Sequence, residues 1–189
     1  MRRVWFDYIQ LILPAAALVA LDQWTKWLVT TRIPYSGSWA PWDWLMPYAR
    51  IVHWSNTGAA FGMFQDMNLV FTVLAFAVSL FILYYYPRIP TNDWLVRLAL
   101  VLQLSGAVGN LIDRLRQGYV TDFISVGNFA VFNVADSCIS VGVVVLMLGM
   151  YLRERREKLA ALTAQPAAES PEESTQPSAA EAAPDGPGE

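Results

Sequence analysis

The sequence predicts an all-α integral membrane protein with four transmembrane helices and a small extracytoplasmic, β-like, Trp-rich subdomain. Three observations predict it. Of the 189 residues 55% are hydrophobic and the mean hydropathy is +0.34, too apolar for a soluble domain of this length. Four stretches, about 8–28, 69–86, 94–112 and 134–152, reach the roughly 17–25 apolar residues that a bilayer demands of a helix. Between the first two lies a segment, 30–68, that holds Trp39, Trp42, Trp44 and Trp54 with Pro34, Pro41 and Pro47 among them. Tryptophan at that density suits the membrane–water interface.

Each element follows in order. The first stretch has Arg2 and Arg3 ahead of an apolar run, the pattern of a cleaved leader, but Pro14 splits the run and no well-placed small-residue cleavage site follows. It is expected to stay as a span. In the next segment "ARIVHWSN" is short and β-leaning, which predicts a small sheet resting on the bilayer. "PRIPTND" reads as a turn between spans two and three. The chain from 1 to 158 is expected to be the membrane-embedded domain. The Ala-, Pro-, Glu- and Ser-rich tail, 159–189, has too little apolar surface to form a core and is expected to be disordered.

Charge sets the orientation. Residues 1–158 hold all 13 bases, and the tail holds none. With both termini cytoplasmic, the inner segments carry Arg2, Arg3, Arg88, Arg97, Arg153, Arg155, Arg156 and Lys158, against Lys26, Arg32, Arg50, Arg114 and Arg116 outside. Cytoplasmic loops are the richer in Lys and Arg, so both ends are expected inside. A single cysteine, Cys138, excludes an intrachain disulfide, and a single histidine, His53, leaves no basis for a zinc or haem site.

On this topology the polar residues converge. Asp22 and Lys26 end span one; Asn110, Asp113 and Arg114 end span three; Asn56 and Asp122 lie in the outer segments; Asn133 and Asp136 open span four. The inner half of all four spans is expected to hold no ionisable group, which argues against a proton-coupled carrier, whose relay crosses the whole bilayer. A membrane adaptor would leave the cluster without a purpose. Asp122 and Asp136 in "YVTDFISVGNFAVFNVADS" stand among apolar residues, where a charge is costly. Two adjacent carboxylates share one proton, giving a general base for water and a general acid for a carbonyl.

Each residue also has a plainer reading. Asp136 suits a helix N-cap, Asp122 a turn, and Lys26 a side chain that snorkels to the interface. Asp22 and Lys26 are spaced for a helical ion pair, and Asn110, Asp113 and Arg114 share a helical face, with Asp113 the more structural. Ser105, Gly106 and Gly109 offer small surfaces for helix packing. "NTGAAFGMF" places Asn56, Gly58 and Gly62 where a backbone can approach a peptide, or simply turns the chain. A Ser-Lys pair of Ser137 and Lys26 is disfavoured, because Ser137 follows Asp136 directly on a helix and points elsewhere.

"LDQWTK", "NTGAAFG", "GAVGNLIDRLRQGYVTDFI" and "FNVADS" occur in that order, each at its place among the spans. Over residues 15–142 the chain resembles lipoprotein signal peptidase, also called signal peptidase II, an aspartyl intramembrane protease of bacterial inner membranes. The resemblance implies removal of signal peptides from prolipoproteins, with cleavage just before a cysteine that bears diacylglycerol. It places the catalytic pair on Asp122 and Asp136, and supporting positions on Asp22, Lys26, Asn56, Gly58, Asn110, Arg114, Asn133 and Ala135. It implies a site towards the extracytoplasmic face, membrane lipid as surroundings, no metal or organic cofactor, no nucleic acid, and inhibition by the peptide antibiotic globomycin. With a substrate that arrives sideways from the bilayer, segment 30–68 is expected to clamp it from above, moving between open and closed poses.

Overall fold

The computed structural model describes residues 2–58 and 67–164, so Gly62 and the stretch 165–189 lie outside the described residues. In chain order the elements are α1 (Arg2–Arg32), β1 (Ser38–Trp39), β2 (Ala49–Asn56), α2 (Asn68–Tyr85), α3 (Trp94–Gln117), β3 (Val120–Val126) and α4 (Val134–Ala164). Single 3-10 turns occupy Asp43–Leu45 and Tyr86–Arg88. All four helices are long and apolar enough to cross a membrane, and α1 runs unbroken through Pro14. Met1–Glu154 forms one compact unit, and the described part of the unit that follows is the last stretch of α4.

Helix α3 is the axis of the bundle: 56% of its apolar window is buried, against 17–22% for the other three. Around it Leu11 and Ala15 of α1, Ile82 of α2, and Leu100, Val101 and Leu104 of α3 form one core cluster. The outward faces, with Trp5, Ile9 and Leu13 on α1, Val73 on α2 and Val144 and Met147 on α4, are exposed and apolar, as contact with lipid tails requires. Small residues let α4 come close to α3. A Cβ on Gly106 would stand 2.4 Å from the Ala135 carbonyl oxygen, and one on Gly109 would stand 2.8 Å from Asp22 Oδ2.

One expectation needs correction here. The half of the bundle remote from the sheet does hold charge: Asp7 of α1 and Arg97 of α3 form a buried ion pair. Arg97 also donates to the Ile89 carbonyl at 3.3 Å and lies over the Tyr86 ring, 4.5 Å from its centroid. Asp7 lies one residue ahead of the expected first span, and Arg97 stands where a cytoplasmic anchor is expected, so neither residue alone marks the pair. The pair neutralises its own charge within the helical bundle. Along α1 about 22 Å separates Asp7 from Asp22, with Leu11 and Ala15 of the apolar core between them, so the two charged layers do not form a relay.

Arg97→Leu is expected to destabilise the protein by about 3–5 kcal/mol, because it strands a buried carboxylate. The double variant Asp7→Leu/Arg97→Leu should recover most of that loss, as thermal unfolding in detergent would show.

The sheet is antiparallel, in the order β1-β2-β3. β2 coincides with the predicted "ARIVHWSN". β3 is a second correction, since the outer segment that holds Asp122 is expected to be a loop or turn and forms a strand. The run Val-Thr-Asp-Phe-Ile-Ser-Val is rich in β-branched and aromatic residues, and pairing with β2 draws it into a strand. The register sets Trp54 opposite Asp122 and Asn56 opposite Val120. The chain turns from α3 into β3 at Gly118, whose φ of +81° is left-handed and whose N–H bonds the Arg114 carbonyl at 3.1 Å. A side chain there would strain this turn, which aims Asp122 back at the bundle.

Candidate active site

A cavity of about 550 Å³ opens between the sheet and the helices. Its polar wall carries Asn56 and Gly58, Asn110 and Arg114 of α3, Asp122 of β3 and Asp136 of α4. Its apolar wall includes Phe71 of α2, Phe129, Phe132, and Ile139 and Val141 of α4. Asp122 and Asp136 therefore meet one cavity from two different elements.

Asn133 joins them. It is fully buried, and its side-chain amide donates to Asp122 Oδ1 at 2.7 Å while its main-chain N–H donates to Asp136 Oδ2 at 3.2 Å. Asn133 is also the N-cap of α4: its Oδ1 accepts the N–H of Asp136 at 2.9 Å. The two residues thus form a reciprocal capping box, with Asp standing where Glu or Gln is commoner. The plainer reading of Asp136 as a capping residue and its place on the cavity wall are both realised in one carboxylate. Its other oxygen accepts from Asn110 Nδ2 at 2.8 Å. Asp122 Oδ2 accepts from Asn56 Nδ2 at 3.0 Å, and Asn56 Oδ1 in turn accepts the Gly58 N–H at 3.0 Å. Burial, followed by the neighbouring Asp136 charge, pushes the Asp122 carboxyl up to about 7.

Behind the cavity wall lies a second polar layer. Lys26 is buried and points inward instead of snorkelling. Its ammonium meets Asp22 Oδ2 at 2.9 Å, Asp113 Oδ2 at 3.0 Å and Asn110 Oδ1 at 3.1 Å, which uses all three of its hydrogens. Asp22 Oδ1 accepts the N–H of Ala135 at 2.9 Å and so caps α4 from α1. Asp113 Oδ2 accepts the N–H of Thr121, the residue before Asp122, at 3.0 Å. Of the predicted shared face, Asn110 and Arg114 line the cavity, while Asp113 meets Lys26 beside Asn110 and holds the Thr121 N–H, the more structural part expected of it. The Arg114 guanidinium lies 5.4 Å from the Phe71 ring centroid, and its Nε has no hydrogen-bond partner among the described residues.

Three participants were missed by sequence reading. Gln23 bridges Asp22 and Asp113, Thr121 sits between Asp113 and Asp122, and Gln117 Nε2 donates to Thr121 Oγ1 at 3.0 Å. Gln23 lies inside "LDQWTK", but nothing in its spacing distinguishes it from a solvated helix residue. Ser137 Oγ donates to the Asn133 carbonyl at 3.0 Å, and Lys26 is engaged with Asp22, Asp113 and Asn110, so the pair imagined for a serine mechanism is not formed. Among the described residues no group of His, Cys, Asp and Glu is placed to hold a metal ion.

Comparison with known proteins covers the same region. The family model described as signal peptidase (SPase) II matches residues 14–152. A lipoprotein signal peptidase of Mesorhizobium japonicum is 39% identical over 162 residues, covering 82% of this chain and 91% of its own. One of Caldanaerobacter subterraneus is 42% identical over 136 residues, covering 71% and 91%. Among solved structures, a bacterial membrane enzyme determined by the in meso method at 2.3 Å superposes with a TM-score of 0.70 at 28% identity, covering 78% of this chain and 90% of that one.

Proposed function

The chain belongs to the signal peptidase II family, peptidases of the aspartic type, and from that premise we propose that it cleaves diacylglyceryl-modified prolipoproteins on the amino side of the lipid-bearing cysteine through the Asp122–Asp136 pair. The observation that carries this reading is the seating of both carboxylates on one cavity wall, tied together by the buried Asn133. The membrane-facing apolar wall suits a signal helix and acyl chains, and the polar wall suits a scissile peptide. The four spans fit a multi-pass membrane protein. The count of bases favours both termini in the cytoplasm and the sheet end outside.

In this mechanism the pair shares one proton, held on Asp122, and Asp136 is the ionised base. A water between them gives its proton to Asp136 as its oxygen attacks the scissile carbonyl, while Asp122 protonates the carbonyl oxygen. The tetrahedral diol then collapses: Asp136 returns its proton to the departing amine, and one diol hydroxyl returns a proton to Asp122. Asn110 and Asn133 hold Asp136 in position, Asn56 and Asn133 hold Asp122, and Arg114 brings its positive charge to the cavity wall beside a substrate carbonyl. Asp22, Lys26, Gly58 and Ala135 support this frame by the bonds described above, and no cofactor enters.

The test is cleavage of a purified diacylglyceryl-modified prolipoprotein by the detergent-solubilised protein, with globomycin as competitor for the cavity. No cleavage by well-folded protein would overturn the reading. The same assay has a pH signature. Since Asp122 must carry its proton and Asp136 must have lost its own, kcat/KM is expected to be bell-shaped, falling about tenfold per unit above pH about 7 and falling again at acid pH as Asp136 protonates. A flat profile to pH 9 would contradict the assignment of the proton to Asp122.

A further inference from the structure

We propose that Gln23 is a positioning residue for the Asp122–Asp136 pair, the brace that holds the two rear carboxylates, Asp22 and Asp113, in fixed relation. This rests on the reading of Asp122 and Asp136 as the catalytic pair. The inference comes from how that pair is anchored. From the rear layer three bonds run forward. Lys26 reaches Asn110, which holds Asp136; Asp113 holds the N–H of Thr121, next to Asp122; and Asp22 holds the N–H of Ala135, next to Asp136. The placement of both front carboxylates is therefore inherited from Asp22, Lys26 and Asp113.

That layer has one ammonium for two buried carboxylates. The Ala135 and Thr121 N–H groups steady one carboxylate each, but the two anions still repel each other across Lys26 and lack a neutral donor that joins them directly. The Gln23 amide provides the donor. Its Nε2 lies 3.2 Å from Asp22 Oδ2, 3.0 Å from Asp113 Oδ1 and 3.1 Å from the Gly109 carbonyl, so its two hydrogens, shared among three acceptors, tie both acids to each other and to the backbone of α3. A neutral amide does this without adding charge. Gln23 lies outside the substrate cavity. It lines a second cavity of about 250 Å³ on the other side of the wall, where the charged groups beside it are Lys26, Asp113 and Arg116. A change at Gln23 should then alter the chemistry without altering the space a substrate fills.

The experiment measures kcat and KM for prolipoprotein cleavage between pH 5 and 8, using the full-length protein, with Gln23→Leu, Gln23→Glu, Asp122→Asn and Asp136→Asn. Gln23→Leu keeps the bulk and removes the donor. Its kcat is expected to fall about 10- to 100-fold, with KM within threefold of wild type. Gln23→Glu is the sharper variant. Its carboxyl can donate while protonated but adds a third anion once ionised, and the second cavity gives it contact with solvent. Its kcat relative to wild type is expected to be near unity at pH 5 and to drop at least tenfold by pH 8.

A ratio that stays constant with pH would overturn the brace, as would Gln23→Leu with kcat within twofold of wild type. If Gln23→Leu does not fold, the Gln23→Glu ratio alone decides. Activity surviving in Asp122→Asn or Asp136→Asn would sink the catalytic pair itself, an outcome separable from any result at Gln23.

Discussion

Replacing Asp122 or Asp136 by asparagine is expected to reduce kcat for prolipoprotein cleavage by about 1,000-fold or more, with KM little changed. The two changes should be non-additive, because the pair acts as one unit: removing either base or acid already removes the concerted proton transfer. Asparagine keeps size and shape, so the loss reports chemistry. The Asp122 variant also carries a stability signature. Asp122 has a folded pKa of about 7, above the ordinary carboxylate value of 3.8. Between those pH values the unfolded chain has released this proton and the folded one has kept it. Wild-type stability therefore falls as pH rises through that window.

Asparagine does not titrate, so Asp122→Asn should gain in thermal stability relative to wild type as pH rises from 4 to 7. One hydrogen bond, to Asn56 or Asn133, is lost at every pH and sets a constant offset. An inactive variant whose relative Tm is independent of pH would mean that Asp122 is ionised throughout.

Lys26→Met is the second large effect. It removes a single ammonium and leaves Asp22 and Asp113 buried and facing each other. Stranding a buried charge costs about 3–5 kcal/mol, which for a chain of this size lowers Tm by roughly 6–20 °C. Asn110 loses its donor from Lys26 at the same time, so Asp136 is less firmly held and kcat falls as well. Lys26→Arg should rescue poorly. The site is a compact ammonium with three acceptors at 2.9–3.1 Å, and a planar guanidinium does not fit that geometry. Tm and kcat measured on the same preparations test both parts, and a Lys26→Arg enzyme with wild-type values would contradict the packing described here.

What could be read from the sequence and what could not divide along physical lines. The spans were legible because hydropathy accumulates over some twenty residues, and α1–α4 lie where the apolar runs are. The convergence of polar residues at one end was legible because topology alone places the ends of spans one and three beside the start of span four. β3 was not, since seven residues carry little pattern until β2 offers them a partner. The capping box of Asn133 and Asp136 hides in a spacing that a search for Glu or Gln passes over. Asp7 and Arg97 each look like an interfacial charge, and only their contact across 90 residues makes them a buried pair. Gln23 is the extreme case: an amide has no charge or periodicity to mark it, and its role exists only in the three acceptors that surround it.

The bond from Asp22 Oδ1 to the Ala135 N–H joins positions 113 residues apart. Translation proceeds at about 5–20 residues per second, so roughly 6–23 seconds elapse between the synthesis of the two partners. During that interval α1 is made with Asp22 and Lys26 already spaced to neutralise each other on one helix, which suits its insertion ahead of the rest. The carboxylate that later caps α4 is thus kept quiet by its own neighbour until α4 is made. A ribosome-bound chain that lacks the last helix holds no assembled site. On the proposed assignment, proteolytic competence awaits the synthesis of α4, and a nascent copy that still lacks this helix is expected to be inactive.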